Sequence, residues 1–212
     1  LISTTCMIVL DLIDALIIIL RKFLMNMKNL YLNDLLRRLH AIDRRCFHVN
    51  YHNITTDDMR NGDGLRTVLW VAGCNHHCKG CQNPVTWNPH DGLIFDVEAE
   101  QELYNKVNKS YISGVTFSGG DPLYPENRDT IFHLAKYIKK YMPGKTVWLY
   151  TGYLWEEIRD LPGMKWIDIL VDGEFVEELA DVNYPWAGST NQRVIDMQES
   201  LRTEMVVLKG EN

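Results

Sequence analysis

The chain has 212 residues, a net charge of −6 and five cysteines. Its length suits one domain of ordinary size, or one domain with an extension, and a domain of ~160 residues buries roughly 70% of its extended-chain surface. The acid excess argues against a groove driven by phosphate contacts, so no nucleic-acid partner is expected. An odd number of cysteines, three of them clustered, does not form a disulfide framework and points to a reducing compartment, the cytoplasm.

The first 49 residues differ from the rest. Met7 to Leu10 and Ala15 to Leu20 look membrane-like, but Asp11 and Asp14 interrupt them and Arg21-Lys22 follow at once, so neither membrane spanning nor any membrane partner is expected. No basic residue precedes the apolar stretch, which argues against a secretory signal. The spacing of Leu10, Leu12, Ile13, Leu16, Ile17 and Leu20 predicts an amphipathic helix. Residues 1–49 are expected to be an extension outside the functional unit, with Val49 as a possible start and residues 50–212 as the working domain.

From Asn50 onward, apolar runs and helical patterns alternate. Strands are predicted at Thr67–Ala72, Gly114–Phe117, Thr146–Tyr150 and Ile167–Val171, and helices at Glu98–Ser110, Asn127–Tyr141 and Leu154–Arg159. That rhythm implies an α/β fold: a parallel sheet with crossover helices, in which four or five strands make a partial barrel or an open sheet.

Between the first strand and its helix lie Cys74, Cys78 and Cys81, with three residues between the first pair and two between the second. Three thiolates at this spacing can hold three irons of a [4Fe–4S] cluster and leave the fourth open to a small molecule, because a fourth local cysteine is missing. A Cys3His zinc site with His76, His77 or His90 as fourth ligand, serving an interaction module, is the alternative. Three inert buried thiols form the third reading, which the flanking glycines and polar residues disfavour. A ferredoxin-like carrier fits poorly without the fourth cysteine.

Ser118-Gly119-Gly120-Asp121 follows the second strand. Ligands of such folds bind at the carboxyl ends of strands, so this turn and the cysteine loop should share one rim. A double glycine lets a ligand approach backbone N–H and C=O groups, although Gly-Gly-Asp-Pro also makes a plain turn.

Taken together, Gly73-Cys74-Asn75-His76-His77-Cys78-Lys79-Gly80-Cys81, Asn83-Pro84-Val85-Thr86-Trp87, Ser118-Gly119-Gly120-Asp121-Pro122-Leu123, Thr151-Gly152-Tyr153, Val171-Asp172-Gly173 and Gly188-Ser189-Thr190-Asn191-Gln192-Arg193 carry a resemblance. From about Asn50 to the C-terminus the chain resembles the activating proteins of anaerobic ribonucleoside-triphosphate reductases, which are glycyl-radical activating enzymes. The resemblance implies a partial (β/α) barrel of the radical S-adenosylmethionine type. It implies a [4Fe–4S] cluster on Cys74, Cys78 and Cys81, whose open iron takes the amino and carboxylate groups of S-adenosylmethionine. Reductive cleavage would then give methionine and a 5′-deoxyadenosyl radical, which abstracts hydrogen from a glycine of the reductase large subunit. A low-potential donor such as flavodoxin would supply the electron. A sibling activity on another glycyl-radical enzyme or on a small molecule is the alternative.

By the same resemblance, Ser118, Gly119, Gly120 and Asp121 hold the methionine amino end, and Gly80 and Gln82 flank Cys81 in contact with the ligand. Gln82 stands where an aromatic residue is more usual, leaving Phe117 and Tyr150 as substitutes for stacking on adenine. His76 and His77 are expected to be exposed loop residues shielding the cluster. Asp57, Asp58, Asp63 and Glu174 read as solvated charges. Arg193 reads as a partner contact or a helix cap.

Overall fold

The computed structural model describes residues 49–210. The amphipathic helix expected between Leu10 and Leu20 lies outside the described residues. Among the described residues no helix is long and apolar enough to cross a membrane.

Seven strands form one open sheet: β1 (Asn50–Asp58), β2 (Arg66–Val71), β3 (Leu93–Ile94), β4 (Gly114–Gly119), β5 (Thr146–Tyr150), β6 (Ile169–Asp172) and β7 (Arg193–Asp196), in the order β3-β1-β2-β4-β5-β6-β7. The central four, β2, β4, β5 and β6, run parallel. Among the described residues four helices accompany them: α1 (Val97–Val107), α2 (Arg128–Tyr141), α3 (Trp155–Ile158) and α4 (Met197–Thr203).

The predicted strands coincide with the parallel four. The sheet is nevertheless mixed, because β1 and β3 pair antiparallel on one side and β7 pairs antiparallel on the other. Sequence pattern misses β1 for a physical reason. Register shifts between Tyr51 and Asn53 and between Thr55 and Asp58 break its period of two, so its buried residues, Tyr51 and Ile54, stand three apart.

Helix α1 starts where Asp96 accepts the N–H of Ala99, and Glu98 and Glu100 occupy its positive first turn. It buries Ala99, Leu103, Tyr104 and Val107, at helical spacing. Helix α2 buries Ile131, Leu134, Ala135 and Ile138 and ends before Pro143-Gly144. These residues join Val115, Phe117, Val147, Leu149 and Leu170 in one core. Each fully buried Leu, Ile or Phe contributes roughly 1.5–3 kcal/mol. Alternation puts Trp148, Ile169 and Val171 on the other face, with Tyr150, Trp186 and Val194 packed against them.

Arg66 staples the amino ends of the parallel strands. Fully buried, it donates to Thr116 Oγ1 (2.7 Å), Val115 O (2.6 Å), Asp63 O (3.1 Å), and Thr146 Oγ1 and O (both 3.0 Å). Its guanidinium also lies 5.3 Å from the Trp148 ring centre. Burial pulls its pKa down to about 10, which still leaves it charged at neutral pH.

Candidate metal centre

Because β2, β4, β5 and β6 are parallel, the loops at their carboxyl ends share one edge. These are the cysteine loop after β2, the Gly-Gly-Asp turn after β4, Thr151-Gly152-Tyr153 after β5 and the long segment 173–192 after β6. A connection of that length without extended regular structure is unusual in a compact domain and typically functional.

Gly73 begins the cysteine loop at φ +97°, a conformation that favours glycine. Its N–H donates to Thr86 O (2.8 Å), and Cys74 N–H donates to Trp87 O (3.0 Å). The 3₁₀ turn Pro84–Thr86 therefore pins the base of the loop. Cys81 N–H closes back on Cys78 O at 3.1 Å, with Gly80 at φ +72° inside that turn. Cys74, Cys78 and Cys81 are all free and partly exposed. Asn83 N–H donates to Cys81 Sγ at 3.4 Å.

Burial pushes the Cys74 thiol up to about 11, against the lowering effect of the His76 and His77 backbone N–H groups. Burial likewise raises Cys78, opposed by the Phe175 N–H from the segment after β6. Without a bound cation these two thiols stay protonated at neutral pH, and a metal would displace their protons.

Three cysteine thiolates are the donor type of an iron–sulfur cluster, in which each binds a different iron, so they surround the cluster rather than meet at a point. His76 is also taken: one ring nitrogen, Nδ1, meets Glu174 Oε1 and the other, Nε2, meets Asp121 Oδ2, both at 2.8 Å. His77 turns Nδ1 toward Asn75 O (3.1 Å) and packs edge-on against Trp87.

The Gly-Gly-Asp turn is fastened directly to the cysteine loop. Gly120 N–H donates to Val71 O (2.8 Å), and Asp121 N–H donates to Gly73 O (2.7 Å). Asn127 Nδ2, buried at the start of α2, bridges Ala72 O and Asp121 O. The sequence reading missed Asn127, because an Asn there reads as a helix cap.

His76 departs from the exposed residue expected, since its side chain is 11% exposed. The Asp121 hydrogen bond pushes its pKa up to about 9 against burial, so both ring nitrogens carry protons at neutral pH and donate. Glu174, read as a solvated charge, is one of its two acceptors.

Asp121 is buried, and its carboxylate accepts from Thr151 Oγ1 (2.9 Å), Gly152 N (3.1 Å), Leu123 N (2.7 Å) and His76 Nε2 (2.8 Å). Ser118 is buried at the end of β4, while Gly80 and Gln82 are exposed beside Cys81. Phe117 is fully buried in the helix-side core, which removes it as a stacking partner for a rim ligand. Tyr150 lies on the opposite face, its hydroxyl buried and without a hydrogen-bond partner among the described residues.

Arg193 is held within the chain by two carboxylates. It clamps the fully buried Asp172, with Nε donating to Oδ1 at 3.0 Å, and also bonds Glu156. Asp172 further accepts the N–H of Trp155, which ties α3 to the start of the segment after β6.

Residues 60–195 match the family model described as a 4Fe-4S single cluster domain. The chain is 44% identical over 146 residues to the anaerobic ribonucleoside-triphosphate reductase-activating protein of Enterobacteria phage T4, covering 69% of this chain and 93% of that protein. The chain belongs to the anaerobic ribonucleoside-triphosphate reductase-activating protein family. Proteins of the same name from Escherichia coli K12 (40% identical, 69% of this chain and 97% of the relative) and Haemophilus influenzae (39%, 68% and 96%) show the same extent of similarity.

Proposed function

We propose that this protein activates anaerobic ribonucleoside-triphosphate reductase by radical S-adenosylmethionine chemistry, on a partial (β/α) barrel of that type. The observation that carries the reading is the direct union of the cysteine loop and the Gly-Gly-Asp turn, through Asp121 N–H on Gly73 O and Gly120 N–H on Val71 O. A metal loop and a glycine-rich ligand turn held edge to edge suit a small molecule that bridges them.

Cys74, Cys78 and Cys81 would hold a [4Fe–4S] cluster with one iron left for S-adenosylmethionine. When bound, that group supplies one-electron reductive cleavage of S-adenosylmethionine and, through it, removal of a hydrogen atom from a glycine of the reductase large subunit. The chain's own residues bind and orient. Gly80, Gln82, Ser118, Gly119 and Gly120 offer the rim contacts to the ligand, and Asp121 shapes the turn beside them, its carboxylate engaged by Leu123, Thr151, Gly152 and His76 and its N–H by Gly73 O. Phe175 N–H and Asn83 N–H, directed at Cys78 and Cys81, stabilise negative charge on sulfur and raise the potential of whatever those sulfurs bind.

A macromolecular substrate fits the rim. Val85, Leu154, Leu179 and Val182 are exposed apolar side chains on the loops of this edge, and Val182 is 100% exposed. We infer a cytoplasmic site of action with a low-potential donor such as flavodoxin, and neither a nucleic-acid nor a membrane partner. The test is to mix the reconstituted protein anaerobically with reductase, S-adenosylmethionine and reductant. A glycyl radical signal on the reductase that requires S-adenosylmethionine supports the reading, and its absence with an intact cluster refutes it.

A further inference from the structure

The imidazole of His76 meets all three other loops of the rim. Its Nε2 reaches Asp121 Oδ2 in the turn after β4, and its Nδ1 reaches Glu174 Oε1 in the segment after β6, both at 2.8 Å. Its ring packs edge-on to Tyr153 after β5, with centroids 4.7 Å apart. It also fills the space above Gly152, where a Cβ would stand 2.5 Å from Cδ2. Among the described residues, backbone–backbone hydrogen bonds join the cysteine loop to its neighbours at its base, through Gly73 and Cys74, and beyond the base the Phe175 N–H reaches Cys78. Farther out, side chains tie it down: His76, and Lys79 to Glu177 (3.0 Å) and Glu178 (3.3 Å). The Lys79 side chain is 78% exposed, so that pair holds weakly.

We propose that His76 is a positioning residue that locks the outer half of the cysteine loop to the Gly-Gly-Asp turn and to the segment after β6, and so fixes where S-adenosylmethionine lies relative to the thiolates. The inference rests on the ligand reading of the rim. A histidine that merely filled space would need neither carboxylate. Here one acceptor, Asp121, is buried and itself fixes Thr151 and Gly152, so a displacement at His76 is transmitted to the ligand turn. The other, Glu174, is 57% exposed and contributes little to packing, which makes it a handle on the lock that leaves the core untouched.

The experiment compares His76→Ala, Glu174→Gln and the double variant with the wild-type chain, each reconstituted anaerobically with iron and sulfide. Iron content, S-adenosylmethionine affinity, and amide exchange at Gly120 and Asp121 without ligand are measured on the same samples. The expected result is near-normal iron, an affinity weakened about tenfold by His76→Ala and about threefold by Glu174→Gln, and a double variant no weaker than His76→Ala, as residues acting through one contact behave. Exchange at both amides should accelerate in each single variant. Wild-type affinity and exchange in both single variants overturn the lock, as do effects that simply multiply in the double variant. Loss of iron in His76→Ala would show that the residue serves the cluster and would overturn the inference. Glu174→Gln guards against a folding failure at His76. If the wild-type protein itself binds no S-adenosylmethionine, the functional reading falls, and the exchange rates alone decide the lock: acceleration in both single variants supports it, and unchanged rates overturn it.

Discussion

A Cβ on Gly120 would stand 2.5 Å from the carbonyl oxygen of Gly73, and 2.8 Å from that of Thr86. The double glycine thus exists first so that the turn can lie against the backbone of the cysteine loop. From sequence, Gly120→Val is expected to obstruct the ligand and spare the cluster, but the geometry reverses that expectation. Gly120→Ala should push the cysteine loop aside, lower iron retention after reconstitution, and cost about 1–3 kcal/mol of stability, as overpacking does. Iron analysis with thermal unfolding checks it. Full iron with a wild-type melting temperature would return the glycine to a role in ligand approach alone.

Cys74→Ala, Cys78→Ala and Cys81→Ala should each abolish cluster binding, because each removes one donor from a set with no spare cysteine among the described residues. Iron and sulfide analysis after anaerobic reconstitution decides this. Any single variant that keeps a full cluster loses its residue from the ligand set.

Arg66 gives a prediction remote from the rim. Arg66→Met should destabilise the fold by about 2–4 kcal/mol, since it leaves the carbonyls of Val115 and Thr146 without a buried donor. Arg66→Lys should recover little, because an ammonium lacks the fork that reaches both strands at once. Urea unfolding of the two variants tests the point, and near-wild-type stability in Arg66→Met would show that the staple is dispensable.

The cluster loop and the ligand turn are legible in the sequence because their chemistry is local: three cysteines within eight residues, and a Gly-Gly-Asp turn that closes an apolar strand. The four parallel strands are legible for a related reason, since burial on both faces makes each a short apolar run. The antiparallel flanks are not. Strand β1 is polar and bulged, and β7 has charged residues, Arg193 and Asp196, at both ends of its four. His76, Asn127 and Arg193 escaped for another reason: their partners Glu174, Ala72 and Glu156 lie 98, 55 and 37 positions away, and no local pattern encodes such pairings. In sequence Asp121 reads as a ligand contact through either its carboxylate or its backbone, and only the fold reveals the protein donors that engage the carboxylate.

The proposed domain boundary is testable by removal. A chain beginning at Val49, with that residue replaced by methionine, should fold and load its cluster as the full chain does. Position 49 is buried, and its carbonyl accepts the N–H of Phe95 at 2.8 Å, so the new residue must still pack there. If Leu10, Leu12, Ile13, Leu16, Ile17 and Leu20 belonged to the same core, losing them would remove roughly 1.5–3 kcal/mol each and lower the melting temperature by many degrees. A shortened protein that is insoluble, or melts far below the complete one, would assign residues 1–49 to the fold.

The most direct test is electron paramagnetic resonance of the anaerobically reconstituted, reduced protein, recorded with and without S-adenosylmethionine. We predict a reduced [4Fe–4S] signal that depends on Cys74, Cys78 and Cys81, changes shape when S-adenosylmethionine is added, and is accompanied by release of methionine. A cluster signal that S-adenosylmethionine leaves unaltered, or stoichiometric zinc in place of iron, would contradict an open iron at the rim.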